Sequence, residues 1–329
     1  MRGMSCDQYG RTINYLRISL TDMCNLRCVY CMPEDMKFRP TEQMMRDDEV
    51  IRLAGVFAEL GFAKFRLTGG EPTLRENLSG IVRAIATTPG VETVAMTTNG
   101  IVLKHLARPL ATAGLERVNV SLDTMNPKRF NQITRWGNVN DVFEGIAAAE
   151  KAGIAIKLNS VVVRGFNDGE DLVELARLTL EHDWQVRFIE MMPFGAVANF
   201  ALARTVSDEE IRATISSVLG PLEMVNDGRL DGEARLYKIR GATGNLGFIS
   251  SVTKPFCAGC NRARLTADGK LRMCLLRDSE FDLLTPMRAG KTDMQLKEMI
   301  EEAVWHKAWG HGLAEKIQPL NRVMSEIGG

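Results

Sequence analysis

The chain has 329 residues, 45% of them hydrophobic, which is enough for one large domain or for two smaller ones. Lysine plus arginine and aspartate plus glutamate both total 41, so the formal net charge is zero. A neutral chain lacks long-range attraction for nucleic acid or anionic membranes, and any anion that it binds must be held locally. No apolar run approaches the roughly 20 residues that cross a bilayer.

The cysteine content argues against a secreted, disulfide-linked protein. Seven cysteines are an odd number, and residues 1–6 lack the apolar stretch of a secretory signal. We therefore expect a cytoplasmic protein with no membrane and no nucleic-acid partner. Cys6 stands alone near the start and is interpreted as an unligated thiol.

Between residues 15 and 190, short apolar stretches alternate with segments of helical spacing. The predicted strands are Tyr15–Leu20, Lys64–Thr68, Thr93–Thr98, Arg117–Asp123, Ala155–Val163 and Gln185–Glu190. One intervening helix is predicted to stop at Gly61, and another, starting at Val142, to stop at Gly153. Repeated βα units predict an α/β fold with parallel strands and helices outside.

The pattern changes after Met191, and the predicted boundary lies within 196–206. Beyond it the sequence predicts a helix from Ser207 to Leu219 and strands over Ala234–Arg240 and Gly247–Val252. We therefore predict two domains, 1–200 and 201–329, the second being a smaller α+β region.

Three cysteines, Cys24, Cys28 and Cys31, follow the first predicted strand on one short loop. Three thiolates can hold an iron–sulfur cube and leave its fourth iron free to bind another ligand. Structural zinc is the alternative, but it needs a fourth ligand. The next histidine is His105, in a segment predicted to be helical.

A second set consists of Cys257, Cys260 and Cys274. The turn predicted at Ala267–Lys270 folds two short strands back so that these thiols can converge. Here too a fourth cysteine is missing, and a zinc site completed by His306 or His311 stays open as an alternative.

Four predicted strands each carry one basic residue between apolar neighbours: Arg17, Arg66, Lys157 and Arg187. Since strand side chains alternate and helices cover the outer face, the basic residues are expected to point inward. Buried cations need carboxylate partners or an anionic ligand. The candidate partners are Glu71, Asp123 and Glu190, while Arg262 and Arg264 add forked donors that suit phosphate oxygens.

The first cysteine spacing, with Tyr30 before the last cysteine, resembles the radical S-adenosylmethionine (SAM) superfamily, as does Gly69-Gly70-Glu71-Pro72 after the second strand. This resemblance implies an incomplete (β/α)6 TIM-like barrel whose open side is covered by the C-terminal region. It also implies a first 4Fe-4S cluster on Cys24, Cys28 and Cys31. The implied contacts with S-adenosylmethionine are Tyr30, Gly70, Glu71, Ser121 and Met192.

From Gly10 to Gly329 the chain resembles the molybdenum cofactor biosynthesis protein A family, the GTP 3′,8-cyclases. The landmarks are Tyr15–Leu20, Arg66–Pro72, Thr97–Gly100, Cys257–Arg264 and the pair Gly328-Gly329. The resemblance implies a second 4Fe-4S cluster on Cys257, Cys260 and Cys274. The implied GTP contacts are Arg17, Arg66, Thr97, Lys157, Arg262, Ala263 and Arg264. Catalytic roles are implied for Arg17 and for Gly328 and Gly329, a tail that threads into the barrel.

The implied enzyme is a lyase that takes the first step of molybdenum cofactor biosynthesis. Reductive cleavage of S-adenosylmethionine gives a radical that removes hydrogen from C3′ of GTP. Ring closure then gives (8S)-3′,8-cyclo-7,8-dihydroguanosine 5′-triphosphate. Implied partners are a flavodoxin- or ferredoxin-type electron donor and cyclic pyranopterin monophosphate synthase, and a homodimer stays open. The alternatives are another radical SAM enzyme with an auxiliary cluster and a non-catalytic iron–sulfur sensor.

Overall fold

The computed structural model describes residues 5–193, 195–313 and 321–328, and one sheet runs through them. Its strands are β1 (Tyr15–Ser19), β2 (Lys64–Thr68), β3 (Thr93–Thr98), β4 (Arg117–Ser121), β5 (Ala155–Val162), β6 (Gln185–Glu190), β7 (Leu222–Met224), β8 (Leu230–Asp231), β9 (Ala234–Ile239), β10 (Asn245–Ile249), β11 (Arg262–Leu265), β12 (Lys270–Arg272) and β13 (Phe281–Asp282).

Helices follow most of the parallel strands and also occupy the C-terminal region. They are α1 (Asp47–Glu59), α2 (Leu78–Ala86), α3 (Leu103–Ala113), α4 (Pro127–Thr134), α5 (Val139–Lys151), α6 (Glu170–Glu181), α7 (Ala198–Ala203), α8 (Asp208–Leu219), α9 (Leu284–Arg288), α10 (Asp293–Trp305) and α11 (Met324–Ile327). Where the structure describes the chain, no helix has the length and apolar character needed to cross a membrane.

The first six strands lie parallel in chain order, as the sequence predicts. The predicted helix stops at Gly61 and Gly153 agree with the ends of α1 and α5 to within two residues. The C-terminal region extends this sheet at both edges, which the sequence does not predict. Strand β11 pairs in parallel with β1, and β10 pairs in parallel with β6.

Alternation along the strands separates an apolar outer face from a polar inner face. In β1, Leu16 and Ile18 are fully buried in the main hydrophobic core, whereas Arg17 between them faces the interior of the barrel. Helix α1 presents Val50 and Leu53 to the same core. The predicted inward direction of the basic residue in β1 is therefore confirmed by the packing.

The junction between β6 and β10 is held by aromatic stacking. Phe248 on β10 is fully buried, with its ring centroid 5.8 Å from that of Phe188 and 5.4 Å from that of Tyr237. Because β10 is the strand that joins the C-terminal region to β6, this cluster fixes one edge of the barrel.

Replacing Phe248 by Ala should lower the free energy of unfolding by about 3–5 kcal/mol, because a fully buried ring leaves a cavity. Urea unfolding followed by circular dichroism measures the change. The exposed Val218 on α8 provides the control, since Val218→Ala removes apolar atoms without leaving a cavity. Equal small losses for both variants would contradict the proposed role of the aromatic cluster.

Candidate active site

One cavity lies inside the barrel and is bounded by both cysteine sets. It brings together most of the site residues predicted from the sequence: Arg17, Cys24, Cys28, Tyr30, Cys31, Arg66, Gly70, Glu71, Thr97, Ser121, Met192, Cys257, Cys260, Arg262, Arg264 and Cys274. Lys157 does not line this cavity: it lines a second pocket at the amino ends of β5 and β6, and its ammonium pairs with Asp231. Gly329 lies outside the described residues.

The first cysteine loop turns tightly after β1. The amide of Cys31 donates to the carbonyl of Cys28 at 2.9 Å, and the amide of Leu26 donates to the Cys24 thiol at 3.4 Å. Burial raises the pKa of Cys24 to about 11, and burial together with nearby Cys24 raises the pKa of Cys31 to about 12. These thiols lie close enough to affect one another and face the shared cavity.

The donor chemistry of both cysteine sets fits iron–sulfur clusters. Three thiols of each set line the cavity, and a cubane cluster takes its cysteine ligands at separate corners. Within 5–193, 195–313 and 321–328, no three His, Cys, Asp or Glu side chains gather closely enough to hold one metal ion. A cluster would also neutralise buried thiolates, which burial alone disfavours.

The segment after β2 is pinned onto the first cysteine loop. The amide of Gly70 donates to the carbonyl of Thr21 at 2.7 Å. The carboxylate of Glu71 accepts hydrogen bonds from the Thr98 hydroxyl and from the Asn99 amide, each at 2.7 Å. Glu71 is buried, and this burial raises its pKa. Its carboxylate therefore orders two loops at the rim of the cavity.

Tyr30 forms a hydrogen bond with a second buried carboxylate, that of Asp123. Its hydroxyl donates to Asp123 at 2.7 Å, while the other oxygen of Asp123 accepts from the amide of Val161 at 2.8 Å. Burial raises the pKa of Asp123 to about 6 despite these bonds. Ser121 and Met192 line the same cavity as Tyr30.

The expectation that Glu71, Asp123 and Glu190 pair with the inward cations is wrong. Glu190 instead accepts from the amides of Val252 and Thr253 at 3.1 and 3.0 Å. All three carboxylates accept their hydrogen bonds from hydroxyl groups and backbone amides. These carboxylates thus provide hydrogen-bond acceptors for backbone amides at the ends of the strands, because those amides have no partner in a neighbouring strand.

Three arginines lie side by side on adjacent parallel strands. Arg17 is in register with Arg264 on one side and with Arg66 on the other. Arg66 also donates to the hydroxyls of Tyr15 and Thr97, the latter at 3.4 Å. Because neighbouring side chains in register point to the same face, their positive charges accumulate inside the barrel.

The acids that neutralise these cations were missed by the sequence analysis. Glu233 makes ion pairs with Arg17 at 2.9 Å and with Arg262 at 3.1 Å. Burial acts to raise the pKa of Glu233, but Arg262 and Arg17 outweigh burial and hold it well below its usual range. Glu233 follows an Asp-Gly pair that reads as an ordinary hairpin turn, and no local signal marks it as buried.

The neighbouring Asp231 pairs with the inward basic residues of β5 and β6. We call these two residues, together with Arg17, Arg66, Arg262 and Arg264, the cation cluster. One oxygen of Asp231 lies 3.0 Å from the ammonium of Lys157 and 3.5 Å from the guanidinium of Arg187. Burial and the nearby Arg187 lower the pKa of Lys157 to about 8, although Asp231 opposes them. Arg187 therefore pairs with Asp231 and not with Glu190.

One predicted GTP contact points away from the cavity. Ala263 lies between Arg262 and Arg264 on β11, and its side chain is buried in the hydrophobic core. In a strand, residues next to one another face opposite sides, so only backbone atoms of Ala263 can face the inner side of the barrel.

The second cysteine loop is held by residues far away in sequence. The guanidinium of Arg11 donates to the carbonyls of Cys257 and Ala308, both at 2.8 Å. Buried Lys307 donates to the carbonyl of Arg262 at 2.9 Å. Burial acts to raise the pKa of Cys260, but Lys307 and Arg262 lower it to about 7. This loop therefore lies in a positive electrostatic field.

The two histidines considered as zinc ligands are placed differently. His306 is exposed and bonds to the carbonyl of Glu302 at 2.8 Å. His311 lines the cavity that the cysteines share, and burial lowers its pKa. Only His311 thus lies on the same cavity as the second cysteine set.

The segment before the last residue enters the barrel. Gly328 has a φ of +87°, and Arg264 donates to its carbonyl oxygen. A Cβ at Gly328 would lie 2.5 Å from the Thr68 hydroxyl and 3.0 Å from Ser19. Glycine is required there both for the backbone conformation and for the close approach to β1 and β2.

Two family models match complementary parts of the chain. Residues 18–179 match the model of the radical SAM superfamily, and residues 184–313 match the model described as Molybdenum Cofactor Synthesis C. A solved structure of SuiB from Streptococcus suis bound to S-adenosylmethionine superposes with a TM-score of 0.60 at 14% identity. The match covers 84% of this chain and 64% of that one, and confirms the predicted α/β fold class.

Similar curated proteins extend over nearly the whole chain. A GTP 3′,8-cyclase from Pelotomaculum thermopropionicum is 44% identical over 98% of this chain and 99% of its own length. Another from Moorella thermoacetica is 46% identical with the same coverage. Matches of this identity and extent show that the chain belongs to the GTP 3′,8-cyclase family of the radical SAM superfamily.

Proposed function

We propose that this protein is a radical SAM GTP 3′,8-cyclase, a lyase that makes (8S)-3′,8-cyclo-7,8-dihydroguanosine 5′-triphosphate for molybdenum cofactor biosynthesis. The observation that carries the proposal is one cavity lined by both cysteine triads and by four arginines. Cys24 follows the carboxyl end of β1, and Cys260 precedes the amino end of β11, which runs parallel to β1, so the triads lie toward opposite ends of the arginines on these strands. Family membership supplies the reaction. The geometry supports a separate task for each part of the cavity.

The end near β1 and β2 is proposed to bind S-adenosylmethionine. Cys24, Cys28 and Cys31 would hold a 4Fe-4S cluster there. The loop at Gly70 lies against the first cysteine loop, which leaves backbone groups beside the cluster. Tyr30 is fixed by its bond to Asp123 at 2.7 Å and would border the ligand, together with Ser121, Met192 and Glu71.

The other end is proposed to bind GTP. Cys257, Cys260 and Cys274 would hold the second 4Fe-4S cluster. The basic side chains that line the space between the clusters suit the triphosphate, since guanidinium groups donate in pairs to phosphate oxygens. The set consists of Arg17, Arg66, Arg262 and Arg264, with the Thr97 hydroxyl beside Arg66 and the Ala263 backbone between two of them. Lys157 lies outside the lining of this cavity, and we include it as a further contact for the triphosphate.

The protein contributes positioning and exclusion of water. When bound, the reduced first cluster and S-adenosylmethionine would supply the radical that begins the reaction. The cation cluster fixes the triphosphate and hence the distance of the ribose from the first cluster. Gly328 closes the space beside Arg264, Ser19 and Thr68, and we assign a catalytic positioning role to the Gly328-Gly329 tail.

Several finer expectations belong to the same proposal. The electron donor is a flavodoxin- or ferredoxin-type protein, and the product passes to cyclic pyranopterin monophosphate synthase. Residues 1–200 would act as the SAM domain, and residues 201–329 as the domain of the second cluster. A homodimer remains one arrangement to test by light scattering.

Reconstituted without oxygen, the protein should hold about eight irons, as expected for two cubane clusters. With a strong reductant and GTP it should release methionine and 5′-deoxyadenosine while GTP is consumed. Cys28→Ala should lose about half of the iron and all of this activity. Cys6→Ala is the control, because Cys6 is exposed and far from both sets in sequence. Cleavage of S-adenosylmethionine without GTP consumption would indicate a different radical SAM enzyme.

Replacing Lys157 or Arg264 by Ala should weaken GTP binding by about 1–3 kcal/mol each, because a charge-assisted contact is lost. Binding of S-adenosylmethionine should hardly change. Calorimetry on each variant measures both affinities. Lys104→Ala is the matched control, since Lys104 forms an exposed pair with Glu144 at 2.7 Å on the outer surface. Equal losses for both ligands would point to a folding defect instead.

Deleting Gly328 and Gly329 should leave iron content and GTP binding intact but abolish cyclic product. A synthetic peptide of about ten C-terminal residues, added in trans, should restore part of the activity. Gly328→Ala should resemble the deletion, because its Cβ would collide with Thr68. Gly241→Ala is the control, since Gly241 has a φ of +80° but no atom near its Cβ position. Wild-type turnover by the truncated enzyme would exclude a catalytic tail.

A further inference from the structure

The hairpin between β8 and β9 carries two carboxylates into the cation cluster. We call Asp231, Gly232 and Glu233 the acidic turn. Asp231 and Glu233 together contact guanidinium or ammonium groups on β1, β5, β6 and β11. The acidic turn thus lies where the proposed function requires the triphosphate to bind.

Glu233 is the more deeply engaged of the two acids. Its side chain is only 13% exposed, and its two oxygens contact different guanidinium groups, on Arg17 and Arg262. Arg66 and Arg187 also act on it electrostatically, after the two direct partners. A phosphate group bound by Arg17 and Arg262 would need the same N–H donors. The carboxylate and the phosphate therefore exclude one another at these two arginines.

The acidic turn is held mainly by its two side chains, so a ligand that takes over their basic partners can displace it. Strand β8 has two residues, and it pairs only with β9 among the described strands. Gly232 has a φ of +65°, the conformation that glycine favours at the first position of a two-residue hairpin. The Asp231 side chain is 42% exposed, so solvent already reaches one side of the turn. Short exposed hairpins open at low free-energy cost.

We propose that Glu233 competes with the nucleotide phosphates for Arg17 and Arg262, so that every phosphate ligand must displace it and only one that makes further contacts, such as a triphosphate, binds tightly. This inference rests on the proposed function, because it takes the cation cluster as the GTP site. A triphosphate brings more charge and more acceptor oxygens than a diphosphate or monophosphate. It can replace the bonds of Glu233 and still engage further cations, whereas a monophosphate gains little by the exchange.

When no nucleotide is bound, the carboxylate of Glu233 supplies a negative counter-charge to the arginines of the pocket. Guanidinium groups in register on neighbouring strands would otherwise repel one another at low dielectric. The internal carboxylate neutralises the cations without a bound ligand. Loss of its charge should therefore strengthen the binding of every phosphate ligand that uses Arg17 and Arg262.

The test compares Glu233→Gln with wild type, using GTP, GDP, GMP and inorganic tripolyphosphate as calorimetric ligands. The variant keeps the shape of the side chain and removes its charge. It should bind GTP, GDP, GMP and tripolyphosphate each at least about tenfold more tightly, a gain of about 1.4 kcal/mol. Hydrogen exchange of the acidic turn should increase when GTP binds to wild type, because the turn is displaced.

Glu223→Gln is the matched control. It removes one negative charge from β7 of the same hairpin region, where Glu223 is 58% exposed and faces the exposed Arg240 at 3.4 Å. Its affinities should equal those of wild type, since surface pairs contribute little. Asp231→Asn is a second test variant and should raise the same affinities, but by a smaller factor. Should Glu233→Gln fail to fold, the result of Asp231→Asn decides.

The possible outcomes separate this inference from the function on which it rests. If wild type binds GTP but Glu233→Gln leaves the affinities for all these ligands unchanged, the competition model is wrong and the GTP site stands. A lower melting temperature with equally weakened binding of all ligands means that Glu233 is only structural, which also overturns the model. If neither protein binds GTP or tripolyphosphate, the site assignment fails and this inference fails with it.

Discussion

The structure depends on the neutralisation of positive charge inside the barrel. Side chains alternate between the two faces of a strand, and the apolar face of each parallel strand packs against the helices. The basic residues between the apolar ones must therefore face inward. Register then sets Arg264, Arg17 and Arg66 beside one another. Such a group is stable only with counter-charges, and the acidic turn supplies them from the C-terminal half. The two halves of the chain are therefore joined by charge as well as by hydrogen bonds between strands.

The two ends of the cavity differ in electrostatic character. Around the first cysteine loop, burial dominates and raises the pKa of Cys24 and Cys31. Around the second loop, Lys307 and Arg262 overcome burial and lower the pKa of Cys260. A cluster with a similar cysteine set would thus meet a less polar surrounding at one end and a positive field at the other. The surroundings of a cluster influence its reduction potential, so the two positions are not equivalent.

The sequence predicts those features that depend on local pattern. Strand positions and the inward direction of Arg17 follow from alternation, which needs only neighbouring residues. The partners of Glu71 and Glu190 were predicted wrongly, because a carboxylate at a strand end is captured by nearby loop amides before it reaches a cation. Glu233 was missed because its contacts span more than 200 residues of sequence in one case, with Arg17, and no local period encodes such a contact.

The pairing of β11 with β1 joins strands from opposite ends of the chain. Arg11, near the start, likewise bonds to the carbonyls of Ala308 and Trp309, at separations of 297 and 298 residues. During synthesis, β1 therefore lacks its neighbour β11 until almost the whole polypeptide has left the ribosome. The second cysteine loop cannot be immobilised earlier, so assembly of its metal centre is a post-translational event.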